Sequence, residues 1–133
     1  MPEQKEYDVF LSYSTKDSAW ASEFADALSQ AGLHGWFDVA ALPPGERRQE
    51  KIQAALRASK TLVLILSPQS VESPWTFFQL GAALADQKRI IPVVTGDVEL
   101  TKMPMLLRQF QFLKESSPRQ AGIRVAEAIA AKQ

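Results

Sequence analysis

Apolar and polar positions along the chain alternate between two periods. Tyr7-Asp8-Val9-Phe10-Leu11-Ser12-Tyr13 is a short run rich in aromatic and branched side chains, which predicts a strand. Between Asp17 and Ala31 the apolar residues fall at Trp20, Phe24, Ala27, Leu28 and Ala31. That is helical spacing, with Asp17 placed to cap the helix and Gly32 to stop it. Leu33 to Asp38 predicts a second strand, and Ala41 to Gly45, with its prolines and glycine, a loop. Glu46 to Ser59 returns to helical spacing through Ile52, Ala55 and Leu56. Thr61 to Leu66 is apolar without interruption, the pattern of a strand buried on both faces. Ser73-Pro74 puts a capping serine before a proline at the first helical position, opening a helix to about Asp86. Arg89 to Val94 predicts the fourth strand, Gly96 to Arg108 an irregular or weakly helical stretch, and Gln111 to Lys114 a short fifth strand. Ser117-Pro118 repeats the capping signal, and a last helix continues through Val125 and Ile129 towards Ala131.

Strands alternating with helices in this way imply an α/β fold, a parallel sheet with helices on both faces. For five strands the common order is 2-1-3-4-5, which reverses between the first and third strands. Ligands of such open sheets bind outside the carboxyl ends of the strands, at that reversal. The segments to inspect are therefore Ser12 to Lys16, and Ser67 to Ser73 with the helix that follows. Residues 1–6 are polar and read as a flexible lead-in, and residues 7–131 as a single domain without repeat or linker.

Composition narrows the chemistry. At 133 residues, 46% apolar and 23% charged, the chain has the balance of one ordinary globular domain. Fifteen basic residues against fifteen acidic ones leave no basic footprint for nonspecific contact with nucleic acid. No apolar run approaches the ~20 residues of a membrane span. The absence of cysteine excludes disulfides, thiol catalysis and thiolate-held metals, and a lone histidine, His34, leaves no material for His-pair metal sites or His relays. Neither GxxxxGK[ST] nor GxGxxG occurs. Ser67 stands where an aspartyl phosphoacceptor would end the third strand, and the hydroxyls of Ser12, Ser14 and Thr15 lack a glycine that would let the backbone close on a phosphate.

Trp75 and Gln79, four apart, share one helix face, while Phe77, Leu80, Gly81 and Leu84 share another that would pack on the sheet. Trp75 suits either a stacking wall for a flat ring or a packed core aromatic. Leu42-Pro43-Pro44-Gly45 is a stiff, exposed loop, either a partner-binding element or a connector. Arg47, Arg48 and Lys51 behind it read as a solvated helix face or as cations for phosphate. His34 reads as structural or simply exposed. Asp38, ending a strand at the ligand edge, suits a cap or a ribose hydroxyl equally.

Taken together, these segments resemble the Toll/interleukin-1 receptor (TIR) domain family. Tyr7 to Ser14 is similar to its opening box, Trp36-Phe37-Asp38 with Leu42 to Gly45 to its second box and BB loop, and Ser73 to Leu80 to the segment carrying the active site of enzymatic members. Phe110 to Phe112 matches the third box poorly, lacking its usual Phe-Trp. The resemblance implies a flavodoxin-like three-layer sandwich with a five-stranded parallel sheet in the order 2-1-3-4-5. It also implies one of two functions. Enzymatic members, common in bacteria and plants, cleave NAD+ at the nicotinamide–ribose bond, giving nicotinamide and ADP-ribose or a cyclic isomer. Scaffolding members signal by homotypic association through the BB loop.

By resemblance, the substrate-binding positions are Tyr13, Ser14, Phe37, Asp38 and Trp75, and the assembly positions Leu42, Pro43, Pro44, Gly45 and Arg47. NAD+ is implied as substrate, with no cofactor or metal. The implied partners are other TIR domains, in filaments, and a fused or separate sensor domain. No direct contact with nucleic acid or membrane is implied, and the setting is a cytoplasmic immune or cell-death pathway such as bacterial antiviral defence. The catalytic glutamate of enzymatic members lies four residues after the tryptophan, and here that position is Gln79. Departure of nicotinamide leaves positive charge on the ribose, as in glycoside cleavage. Glutamine keeps the shape of glutamate and can bond a hydroxyl, yet it supplies neither counter-charge nor basicity, and loss of acid–base assistance costs ~10²–10⁴-fold in rate. A natural scaffold and an enzyme silenced by Glu→Gln replacement both fit this residue.

Overall fold

A computed structural model describes residues 7–13, 15–36, 54–68, 89–95, 98 and 111–131. Its strands are β1 (Tyr7–Ser12), β2 (Gly35–Trp36), β3 (Ser59–Leu66), β4 (Arg89–Val94) and β5 (Leu113–Lys114), and its helices α1 (Ser18–Gln30) and α2 (Pro118–Ala131). A 3₁₀ turn, Thr15–Asp17, leads into α1. The strands pair in the order β2-β1-β3-β4-β5, every pair parallel. Val9 lies opposite Gly35 on one side and Thr61 on the other, which puts β1 inside the sheet beside β3.

The pattern of side chains explains the layering. Successive residues of a strand point to opposite faces. Val9 and Leu11, Val63 and Ile65, and Ile91 and Val93 form one apolar face. Ala21, Phe24, Ala25 and Leu28 of α1, with Ala121, Val125 and Ile129 of α2, cover it. Phe10, Leu62, Leu64, Leu66, Ile90 and Val94 form the other face, packed with Ala55, Leu56 and Val98. Residues 61 to 66 of β3 are all buried, as the uninterrupted apolar run implies. Pro92, which has no N–H to give to a ladder, lies opposite Leu64, and β5 opposes β4 at Val93 and Val94.

Helix ends follow local rules, with one exception. Gly32 has φ of 88°, a conformation natural to glycine. The Gly32 N–H donates to the Ser29 carbonyl at 3.0 Å and the Leu33 N–H to the Leu28 carbonyl at 3.1 Å, the two bonds of a Schellman stop. At α2, Ser117 Oγ accepts from the Gln120 N–H at 3.3 Å, so Ser117 caps the helix that Pro118 begins. The exception is Asp17. It occupies the N-cap position of α1 but makes no side-chain capping bond.

Other boundaries differ from the periodicity. The helix before β3 is seen at 54–57 and ends short of Ser59, which is already the first residue of the strand. Ser59 is fully buried, and its Oγ donates back to the Ala55 carbonyl at 2.7 Å. A polar residue thus enters the strand with its hydroxyl satisfied, where the sequence pattern assigns it to the helix. The fifth strand is two residues, with Gln111 and Phe112 outside it. Of the second predicted strand, Gly35 and Trp36 pair, and its continuation to Asp38 lies outside the described residues.

Candidate functional site

The carboxyl edge of the sheet is tied together bond by bond. Ser67, the first residue after β3, is 2% exposed. Its Oγ donates to Asp17 Oδ2 at 2.5 Å, joining the end of β3 to the turn that follows β1. The Leu66 carbonyl accepts from the Thr95 N–H at 3.0 Å, joining β3 to β4. The Val94 carbonyl accepts from the Glu115 N–H at 3.1 Å, joining β4 to the segment after β5. Asp17 thus spends its carboxylate on a tertiary contact fifty residues away instead of on its own helix. A cap forgone costs about 0.5–2 kcal/mol, although the negative charge still suits the helix N-terminus. A hydrogen bond to a charged acceptor contributes about 1.5–3 kcal/mol, enough to offset that cost.

The amino edge is held differently. Asp8 Oδ2 accepts from the His34 N–H at 2.8 Å, and Asp8 Oδ1 lies 3.7 Å from Lys60 Nζ. The Asp8 N–H donates to the His34 carbonyl, and the rings of Tyr7 and His34 meet edge to face at 5.3 Å. His34 is therefore exposed and structural together: it fixes the entry to β2.

Of the residues that the sequence assigns to a site, Tyr13 is described. It follows β1 at the carboxyl edge, half-buried, packed against the core beneath α1 and α2. Ser14, Phe37, Asp38, Trp75 and Gln79 lie outside the described residues, as do Leu42, Pro43, Pro44, Gly45 and Arg47 of the loop. The sequence reading missed the pairing of Asp17 with Ser67. Ser67 opened one of the segments singled out for inspection and Asp17 lay one residue past the other, read only as a cap, and no local pattern links positions fifty apart. Among the described residues, no group of three or more His, Cys, Asp or Glu could hold a metal ion, and no helix is long and apolar enough to cross a membrane.

A TIR-domain family profile matches residues 9–126. The chain belongs to the TIR-domain family. This TIR domain is 31% identical over 95 residues to the 2' cyclic ADP-D-ribose synthase AbTIR of Acinetobacter baumannii, a match covering 68% of the chain and 35% of that protein. It is 33% identical over 75 residues to the NAD(+) hydrolase TirS of Staphylococcus aureus, covering 56% of the chain and 27% of that protein. Among solved structures, a metazoan TIR-STING receptor from C. gigas superposes with a TM-score of 0.81 at 24% identity, over 97% of this chain and 41% of that one. That likeness shows the fold. The TIR domain spans about a third of the length of these enzyme relatives.

Proposed function

We propose that this TIR domain is an NAD+-cleaving module of an immune or cell-death effector, acting on the nicotinamide–ribose bond when assembled, with Gln79 holding its turnover low. The observation that carries the reading is the similarity to a 2' cyclic ADP-D-ribose synthase over two thirds of the chain. The parallel order β2-β1-β3 supports it, because it puts a reversal point between β1 and β3, where such sheets take ligands. On this reading residues 7–131 form one flavodoxin-like three-layer domain behind a flexible lead-in. Tyr13, Ser14, Phe37, Asp38 and Trp75 line the nucleotide pocket at the carboxyl edge, and Gln79 occupies the catalytic position. A glutamate at 79 would give the growing charge on the ribose a counter-charge already in place, the arrangement that lowers barriers most.

Assembly belongs to the same reading. The prolines of the Leu42 to Gly45 loop are stiff and lose little entropy on docking. A head-to-tail contact through this loop and Arg47 would propagate as a filament, in the cytoplasm, under a fused or separate sensor domain. A bulky residue in place of Gly45 is expected to abolish higher-order assembly while leaving the fold intact. Light scattering checks this, and unchanged filaments would remove the loop from the mechanism. A second reading, a scaffold signalling by homotypic association alone, is favoured by Gln79 itself. Nicotinamide release by the chain and by its Gln79→Glu variant separates the two.

A further inference from the structure

The bond between Asp17 and Ser67 spans the place where the proposed pocket opens, and it is made at the expense of a local rule. Asp17 sits at an N-cap, yet its carboxylate turns away from the helix amides to a serine on the neighbouring strand end. Ser67 is 2% exposed, so its hydroxyl could not be left unsatisfied without loss. Departures from local preference concentrate where function constrains the backbone. Here the departure couples the two segments, after β1 and after β3, that flank the reversal point of the sheet. Continuity matters too: the Leu66 carbonyl bonds the Thr95 amide, so β3's end is anchored to β4 while Ser67 reaches across to Asp17.

We propose that Asp17 is a positioning residue for NAD+. Clasped by Ser67, it holds the Thr15–Asp17 turn at the distance from β3 that the nucleotide requires. The role needs a hydrogen-bond acceptor and does not need the negative charge. It rests on the NAD+ reading above. Because Asp17 acts through the turn and not on the reacting bond, its loss should appear in substrate affinity and leave the chemical step alone.

The test uses the full chain with Gln79→Glu, assembled at high concentration. Asp17→Ala and Ser67→Ala are each expected to raise KM for NAD+ by about tenfold, the size of one lost charge-assisted hydrogen bond. The kcat should stay within about threefold of its parent. The double variant should be no worse than the more impaired single, as for two halves of one interaction. Asp17→Asn retains an acceptor oxygen and should restore KM to within about threefold of the parent. Amide exchange supplies a readout that does not depend on turnover: the Thr15–Asp17 amides should exchange at least about tenfold faster in both alanine variants, with the amides of α2 unchanged.

Faster exchange together with raised KM and unmoved kcat supports the proposal. Raised KM without rescue by Asp17→Asn overturns the acceptor role, and unmoved KM in folded variants overturns positioning while leaving the NAD+ reading intact. Exchange at the parental rate overturns the clasp. Failure of the Gln79→Glu chain itself to bind or cleave NAD+ overturns the NAD+ reading, and positioning for NAD+ falls with it.

Discussion

Among the described residues an aspartate stands at each edge of the sheet, and the two are used differently. At the amino edge, Asp8 accepts from the His34 amide and faces Lys60, whose side chain is 55% exposed. Water can replace most of what Asp8 provides, and its work is to seat β2 beside β1. At the carboxyl edge, Asp17 meets a hydroxyl shut away from water, and the bond joins two segments that no strand pairing joins. The first arrangement specifies strand order. The second fixes the turn after β1 against the end of β3, at the reversal point of the sheet. Changes at the amino edge should therefore lower stability alone, and changes at the carboxyl edge should alter function out of proportion to stability.

A change that touches neither edge sets the scale of a purely structural loss. A Cβ on Gly122 would lie 2.5 Å from Ala27 Cβ and 2.9 Å from the Phe24 carbonyl oxygen, where α2 crosses α1. Gly122→Ala is expected to destabilise by about 1–3 kcal/mol through overpacking, partly offset by about 1 kcal/mol of better helix propensity. Thermal unfolding measures the net loss. A variant as stable as the parent would mean that the two helices separate readily, and that the sheet is positioned by something other than their crossing.

The amino edge should respond less. Asp8→Ala removes one hydrogen bond and one exposed ion pair, for about 0.5–1.5 kcal/mol in all, and part of that loss should disappear in the parent at high salt as the ion pair is screened. Denaturant titration at low and high salt checks both statements. In the Gln79→Glu chain, the same substitution should leave the KM for NAD+ unchanged. If Asp8→Ala moved KM as far as Asp17→Ala does, the distinction between the edges would be lost.

The parts of this architecture legible in the sequence are those written in neighbouring residues. The unbroken run Thr61 to Leu66 announces a strand covered on both faces, Gly32 a left-handed helix stop, and Ser117-Pro118 a capped start. Each depends on groups a few positions apart, so local pattern carries them. What the pattern misses is set by distant contacts. Ser59 reads as helical until its hydroxyl turns back to Ala55 at the mouth of the strand. Asp17 reads as a cap until Ser67 claims its carboxylate. The close crossing at Gly122, against Phe24 and Ala27, is likewise a distant contact that periodicity does not announce. Tyr13 reads as the end of the first strand, but β1 stops at Ser12, and Tyr13 follows it at the carboxyl edge, half-buried and packed against the core.

The central claim, that this TIR domain is built to cleave NAD+ and is restrained by one residue, is most directly tested by nicotinamide release. Chromatography would compare the chain as it stands with Gln79→Glu, both assembled to the same extent at high protein concentration. The account predicts release by Gln79→Glu faster by ~10²–10⁴-fold. Two chains equally inert while assembling normally would contradict the enzyme and leave the scaffold, and a parent already as fast as its variant would show that the catalytic position is not residue 79.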